Sequence, residues 1–102
     1  MRRATVIGAG VAGLTVATEL QAAGLKVVIV DRAEGQGPAQ CSWWAGGMLA
    51  PWCERESAEE PVVTLGVEAA DWWERNGAIV RRNGTLVVAP GRDRAELQYT
   101  LD

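Results

Sequence analysis

Three glycines near the start of the chain, Gly8, Gly10 and Gly13, have the spacing of a turn that binds a diphosphate. In such a turn Gly8 permits a sharp bend, Gly10 lets the backbone approach the ligand, and Gly13 lets the next helix pack closely. The first N–H groups of that helix have no intrahelical partners, and the helix dipole adds partial positive charge to them. The spacing therefore predicts a nucleotide-binding turn.

An acidic residue follows at the distance that dinucleotide binding requires. Asp31 lies 18 residues beyond Gly13 and directly after the apolar run Lys26–Val30. A carboxylate at the tip of a strand can accept hydrogen bonds from the hydroxyls of an adenosine ribose. With Asp31 in place, the sequence favours a bound dinucleotide over a glycine-rich turn without a ligand.

A strand, a helix and a second strand must position these residues. The sequence predicts a buried strand over residues 4–7, a helix over residues 11–23 and a second strand over residues 26–30. Gly24 suits the left-handed conformation that ends a helix. The second strand is apolar on both faces, as in a parallel strand that is covered on each side. The predicted fold class is therefore α/β, with a Rossmann-like βαβ unit.

A second helix is predicted further along the chain, over residues 59–76, where the pair Asn76-Gly77 ends it. Trp72 and Trp73 continue its apolar stripe, so we interpret them as core residues rather than as cofactor contacts. Between the βαβ unit and this helix, residues 41–53 are apolar, aromatic and rich in glycine, with no helix or strand period. A long irregular segment of this kind is more often functional than idle. The alternative is a buried crossover whose tryptophans fill a core.

The last part of the chain predicts a β-hairpin. Residues 78–82 and 85–89 flank Asn83-Gly84, the preferred two-residue turn between twisted antiparallel strands. Residues 92–102 predict the opening of a further helix.

Composition excludes several classes of protein. The chain has 102 residues, of which 48% are apolar and 23% are charged, and its net charge is −3. These values predict one small globular domain, and the lack of a basic surplus argues against a nucleic-acid partner. No apolar run approaches the length of a membrane span. The start Met1-Arg2-Arg3 superficially resembles an export signal, but the glycines interrupt its apolar stretch, so we predict a cytoplasmic protein.

Metal and nucleophilic sites are also disfavoured. The chain has no histidine, and its two cysteines, Cys41 and Cys53, stand 12 positions apart without a CxxC motif. A Cys–His or Ser–His pair is therefore impossible within this chain. We interpret both cysteines as reduced thiols and predict no metal site.

With these motifs in place, the chain resembles the N-terminal part of the FAD-dependent D-amino acid oxidase family, most closely the glycine oxidases of thiamine biosynthesis. The resemblance rests on the glycine turn with Asp31 and on residues 42–51, which resemble the family's small-residue run ending in Gly-Met-Leu. It also rests on residues 86–89, which resemble the start of the family's substrate domain. It covers almost the whole chain and implies two parts, a partial FAD-binding domain at residues 1–77 and the beginning of a substrate domain at residues 78–102.

The resemblance implies FAD as cofactor and a set of contacts along it. Counted from the diphosphate through the adenosine ribose and the ribityl chain to the isoalloxazine ring, the implied cofactor-binding residues are Gly8, Gly10, Val11, Ala12, Gly13, Asp31, Arg32, Cys41, Ser42, Gly46, Gly47 and Met48. Trp43 and Trp44 replace small residues of some relatives. They either stack near the adenine or flavin or, as we slightly favour, pack under the loop.

In such enzymes an amino acid passes a hydride to the flavin, the resulting imine hydrolyses, and O2 reoxidises the flavin to give hydrogen peroxide. The residues that orient the substrate lie beyond residue 102 in the family, so no catalytic residue is assigned. The family's substrate positions are matched by none of the polar residues Arg81, Arg82, Arg92 and Tyr99. The identity of the amine substrate and the oligomeric state stay open.

Two alternatives remain for the function. One is another FAD oxidoreductase, similar to sarcosine oxidase or to glycerol-phosphate dehydrogenase. The other is a non-catalytic piece that binds nucleotide weakly, because two strands leave sheet edges and apolar surface that further strands would cover. On that ground we expect the 102-residue chain to self-associate, as a homo-oligomer or otherwise, or to need a complementing partner.

Overall fold

The computed structural model describes residues 1–54 and 60–95, which belong to two compact units divided after Gly46. The first unit contains strand β1 (Arg3–Ile7), helix α1 (Val11–Ala22) and strand β2 (Lys26–Val30). The two strands are parallel, and their register pairs Arg3 with Lys26 and Ile7 with Val30. A parallel pair needs a crossover connection, which α1 provides. The predicted βαβ unit is confirmed, with bounds that differ from the prediction by one residue at most.

Helix α1 ends at Gly24 for a backbone reason. Gly24 has a φ of +91°, its N–H donates to the Gln21 carbonyl, and the Leu25 N–H donates to the Leu20 carbonyl. This pair of hydrogen bonds is the Schellman motif, in which a left-handed residue satisfies the last carbonyls of a helix. The predicted role of Gly24 is confirmed.

Helix α1 packs very closely on the turn that precedes it. A Cβ atom on Gly13 would lie 1.9 Å from the Gly8 carbonyl oxygen and 3.4 Å from Val6 Cγ1. Only a residue without a side chain allows this approach, which brings the start of α1 against β1. Ala17, one turn further along the same face of α1, is 5% exposed.

The opposite face of the sheet differs from the sequence expectation. The alternation along a strand places Ile7, Val28 and Val30 on the face away from Val6. Ile7 is 87% exposed, and Val28 and Val30 are about half exposed. The prediction of a buried first strand and of a second strand covered on each side is therefore wrong for the described part of this unit, because α1 covers one face only.

The second unit contains two short helices where the sequence predicted one helix over residues 59–76. Helix α2 spans Glu60–Gly66 and helix α3 spans Ala69–Arg75. Helix α2 ends at Gly66, where a Cβ would lie 2.7 Å from the Cβ of Pro51, in a short 3-10 turn. Glycine also weakens the helix interior. Val63 of α2 is almost fully buried.

Helix α3 carries the tryptophan pair and ends as α1 does. The rings of Trp72 and Trp73 are half-buried and meet edge to face, with centroids 5.1 Å apart. This geometry agrees with their interpretation as packing residues. Gly77 has a φ of +93°, its N–H donates to the Glu74 carbonyl, and the Ala78 N–H donates to the Trp73 carbonyl. This is the same pair of hydrogen bonds as at the end of α1.

The predicted hairpin is not formed by the described residues. Residues 78–90 contain no strand, although Gly84 has the positive φ of a turn residue. Instead, the Arg82 guanidinium binds the carboxylates of Asp71 and Glu74 on α3. An isolated pair of strands is marginal in water without a third strand or a packing surface. Residues 91–95 begin with a 3-10 turn, and residues 96–102 of the predicted last helix lie outside the described residues.

The close approach at Gly13 generates a stability prediction. We expect Gly13→Ala to lower the free energy of unfolding by about 1–3 kcal/mol, because the new methyl group forces α1 away from the Gly8 carbonyl. Helix propensity alone would favour alanine by about 1 kcal/mol, so the sign is diagnostic. Gly37→Ala is the matched control, since a Cβ there meets no atom within 4 Å. Urea unfolding curves measure both, and equal midpoints would contradict the close packing.

Candidate functional site

An open groove of about 660 Å³ lies in the first unit, at the carboxyl ends of the two strands. In open α/β sheets this edge is where ligands bind. Residues that end the strands, form the glycine turn or belong to the following loop line the groove; they are Ile7, Gly8, Gly10, Val30, Asp31, Arg32, Ala39, Gln40 and Cys41.

The Asp31 carboxylate is fixed by two backbone N–H groups, one from the glycine turn and one from the segment that follows Asp31. Its Oδ2 accepts the Ala9 N–H at 2.8 Å, and its Oδ1 accepts the Ala33 N–H at 2.7 Å. The bond from Ala9 and then that from Ala33 hold the pKa of Asp31 below its usual value of 3.8, because both stabilise the charged form. Burial of the carboxyl acts in the opposite direction, and smaller effects of the Gln40 side chain and the Arg32 charge again lower the pKa of Asp31. Asp31 is therefore an ionised, oriented acceptor at neutral pH.

The N-terminus of α1 is capped by a side chain from a distant loop. Gly10 is the N-cap residue and has no side chain to offer, so the Val11 N–H donates to Ser42 Oγ at 2.9 Å. A Cβ on Gly10 would lie 3.0 Å from that same oxygen. Glycine at this position thus makes room for Ser42 as well as for any ligand. The Ser42 hydroxyl accepts this hydrogen bond and keeps its own proton for donation to an anion.

The loop that carries Ser42 is held by side-chain hydrogen bonds. Gln40 Nε2 donates to the Ala9 carbonyl at 3.4 Å, and Trp44 Nε1 donates to the Pro38 carbonyl at 3.1 Å. The rings of Trp43 and Trp44 are 54% and 72% exposed. They do not pack under the loop, as the sequence analysis slightly favoured, because the Trp44 bond ties the ring to its own loop rather than to a core.

The structure gathers only some of the site residues that the sequence predicted. Those that line the groove are Gly8, Gly10, Asp31, Arg32 and Cys41. Val11 and Ser42 are joined beside Gly10, and Ala12 and Gly13 lie in the first turn of α1.

The residues expected along the isoalloxazine ring do not line this groove. Gly46 ends the first unit, and Gly47 and Met48 belong to the second. Gly47 has a φ of +76°, and the Met48 side chain is exposed. Their assignment stays a prediction.

Four groove residues escaped the sequence analysis. Ile7 and Val30 are the paired last residues of their strands, so their position at the carboxyl edge was a usable signal. Ala39 and Gln40 lie in a loop without a recognisable motif, so nothing in the sequence indicated that they line the groove.

The arrangement favours binding rather than bond-making. It offers the Ser42 hydroxyl, an ionised carboxylate, the Arg32 cation and an apolar wall from Ile7 and Val30. The described residues include no cluster of side chains that could hold a metal ion. Within the same residues no helix is long and apolar enough to cross a membrane.

Comparisons with known proteins agree with a nucleotide-binding role. Residues 3–102 match the protein family described as FAD-dependent oxidoreductase. A protein of Rhizobium etli named as a thiamine biosynthesis oxidoreductase, ThiO, is 62% identical over 96 residues, which are 93% of this chain and 29% of the relative. Glycine oxidase of Pseudomonas aeruginosa is 47% identical over 49 residues, 48% of this chain and 13% of the relative. The chain thus spans less than a third of either relative, and no solved structure matches it significantly.

The hydrogen-bonded carboxylate of Asp31 leads to a prediction about how stability depends on pH. The pKa of Asp31 in the folded chain lies below its ordinary value. The charged carboxylate therefore stabilises the fold at pH values above that ordinary pKa, and this contribution is lost as the pH falls through the folded-state pKa. We expect Asp31→Asn to lower stability at neutral pH and to flatten the acid limb of the stability curve between about pH 5 and about pH 2.

The control for this variant is Glu34→Gln, which removes the same charge from an exposed loop position. Urea unfolding at each pH measures both proteins. An acid limb in Asp31→Asn as steep as in the parent chain would contradict the role assigned to this carboxylate.

Proposed function

The chain belongs to the family of FAD-dependent oxidoreductases, and we propose that its first unit binds the adenosine diphosphate half of FAD in an oxidase of glycine or a related amine. The single observation that carries the proposal is the groove at the carboxyl edge of the sheet. There Asp31 is anchored to the Ala9 N–H within the same turn that leads into α1. This combination of an oriented carboxylate and a helix N-terminus beside the groove fits a ribose next to a diphosphate.

The residues present fit the cofactor at the glycine turn. With no Cβ at Gly10, the turn leaves room for a diphosphate, and the Ser42 hydroxyl beside it keeps a proton to donate because it only accepts from the Val11 N–H. Val11 and Ala12 would hold the diphosphate, Asp31 and Arg32 the adenosine ribose. Cys41 and Ser42 would lie near the phosphate and ribityl portion.

When bound, FAD supplies the acceptor for the two electrons of the substrate. In the proposed reaction the amine loses its α-hydrogen as hydride and a proton from nitrogen, which leaves an imine for hydrolysis. O2 takes up the two electrons and two protons as hydrogen peroxide. The described residues of this chain bind and orient the cofactor; the residues that orient the substrate are proposed to lie beyond residue 102.

Further support concerns the second half of the chain. The family match continues to residue 102, which supports the proposal that residues 78–102 begin a substrate domain. The relatives named for thiamine biosynthesis and for glycine oxidation favour a small amine or amino acid as substrate. We also propose that the protein acts in the cytoplasm.

The second candidate is a weak nucleotide-binding piece that forms part of a larger site. It is favoured by the exposed apolar face at Ile7, Val28 and Val30 and by the small share of each relative that the chain spans. In this case the chain binds FAD more weakly than a full-length relative and associates through that face, with itself or with a complementing chain.

The first test is FAD binding by the purified chain. We expect added FAD to lose fluorescence on titration and to leave flavin absorbance after desalting. Gly10→Ala should weaken binding about tenfold or more, because a Cβ close to Ser42 Oγ disturbs both the cap and the approach of the diphosphate, and hydrogen bonds to charged groups are strong.

The matched control is Gly35→Ala, since a Cβ at Gly35 meets nothing within 4 Å. A chain that leaves FAD unbound at every concentration would overturn the proposal for this chain. Equal affinities for Gly10→Ala and Gly35→Ala would overturn the proposed site. Peroxide release by the longer protein with glycine, sarcosine or glycerol 3-phosphate separates the candidate oxidoreductases.

A further inference from the structure

The short 3-10 turn that carries Ser42 is closed by the side chain of its own last residue. This turn spans Cys41–Trp44, and the indole Nε1 of Trp44 donates to the Pro38 carbonyl at 3.1 Å. The bond joins residues six positions apart and encloses the segment between them. Ser42, whose Oγ accepts the Val11 N–H at 2.9 Å, lies inside this enclosed segment.

The backbone alone gives this turn little support. At its ends, the Trp43 N–H donates to the Gln40 carbonyl and the Ala45 N–H donates to the Ser42 carbonyl, each at 3.2 Å. Hydrogen bonds in a 3-10 helix have poorer geometry than those of an α-helix, and one turn has no longer helix to stabilise it. A further bond across the turn therefore contributes much to keeping it closed.

The exposure of Trp44 indicates that packing is not its main contribution. It is 72% exposed, whereas a tryptophan in a core buries most of its ring. Trp43, one position earlier, is 54% exposed, and its indole N–H donates to no group within residues 1–54 and 60–95. The same large side chain thus stands twice in the turn, and the second one binds the backbone of the loop. The feature that sets Trp44 apart is its bonded N–H, and not its ring.

We propose that Trp44 is a positioning residue of the FAD site, whose indole N–H keeps the turn closed and so holds Ser42 Oγ against the start of α1. The inference rests on the proposed function of the groove, in which the Ser42 hydroxyl donates to the diphosphate. Trp44 acts on the cofactor through that hydroxyl. A Cβ on Gly10 would lie 3.0 Å from Ser42 Oγ, so a small displacement of the 3-10 turn changes the space in front of the glycine turn.

A different role for Trp44, stacking of its exposed ring on the adenine or the flavin, makes the opposite prediction for one substitution. Trp44→Phe keeps an aromatic face and removes the N–H donor. The closing bond is lost in this variant, whereas stacking is largely kept. Trp43→Phe is the matched control, because it makes the same change one residue earlier and removes no hydrogen bond of the turn.

The first arm of the test needs no cofactor and follows hydrogen exchange by NMR. In the parent chain, the indole N–H of Trp44 should exchange about fivefold more slowly than that of Trp43, the effect of one hydrogen bond. In Trp44→Phe the Val11 N–H should exchange faster, toward its rate in Ser42→Ala, and in Trp43→Phe it should keep its parent rate. Equal indole rates in the parent chain, or an unchanged Val11 rate in Trp44→Phe, overturn the proposal.

The second arm measures FAD affinity by flavin fluorescence in a double-mutant cycle. Trp44→Phe should bind FAD about fivefold more weakly than Trp43→Phe, the usual effect of one lost hydrogen bond. Added to Ser42→Ala, the same substitution should weaken binding by less than about twofold, because the hydroxyl that it positions is already absent. A merely structural role would weaken binding by the same factor with and without the Ser42 hydroxyl. Equal factors in the two backgrounds overturn the positioning role.

The outcomes separate this inference from the proposed function. If the parent chain binds no FAD, the proposed function of this chain fails, and the exchange rates still decide whether Trp44 holds Ser42 in place. If FAD binds equally well to Trp44→Phe and Trp43→Phe, the positioning role is overturned and the proposed function stands. If Trp44→Phe does not fold by circular dichroism, the two indole rates of the parent chain decide: equal rates overturn the role, and a slower rate at Trp44 supports it.

Discussion

The N–H groups between β1 and the first turn of α1 need acceptors, and much of the first unit is arranged around this requirement. Helix geometry leaves the first N–H groups without partners, and the glycines before the helix provide no side chains to cap them. The acceptors come instead from Asp31, at the end of the neighbouring strand, and from Ser42, in a loop 31 positions away. A local shortage of acceptors thus ties the turn to two distant segments. The same shortage makes the turn attractive to an anion.

The same need for acceptors goes together with the close packing of the glycine turn against β2 and α1. Asp31 reaches the Ala9 N–H because the parallel register ends β1 and β2 at the same level, with Ile7 beside Val30. The approach of α1 to the Gly8 carbonyl brings the helix start to the same edge. Each contact depends on a missing side chain or on a strand ending in register. The groove is therefore a product of backbone geometry, and its charged and polar side chains refine it.

Much of the first unit was predictable because its signals are local. The order of apolar run, glycine turn, helix, Gly24 and second apolar run fixes the βαβ unit, since each transition has its own residue type. Asp31 was found for the same reason. The capping bond from Ser42 was not predictable from spacing, because it joins residues that only the folded loop brings together. The bond from Gln40 to the Ala9 carbonyl was not predictable either, since it depends on where that carbonyl lies in space.

The second unit was predicted less well, and the errors have physical causes. The break between α2 and α3 follows Gly66, and the close contact of this glycine with Pro51 is not visible in a helix pattern. The expected strands around Gly84 have no partner sheet among the described residues, and Arg82 binds α3 instead. Propensity and turn chemistry describe what a segment favours, whereas the partners available decide what it forms.

In the described part of the chain, the hydrogen bonds that join the loop of residues 37–45 to the βαβ unit are made by two side chains, those of Gln40 and Ser42. The strands, by contrast, are joined by a backbone ladder. The residue that caps α1 thus belongs to a segment outside the sheet, and the geometry of the helix start is set by side-chain contacts of this loop as well as by the ladder.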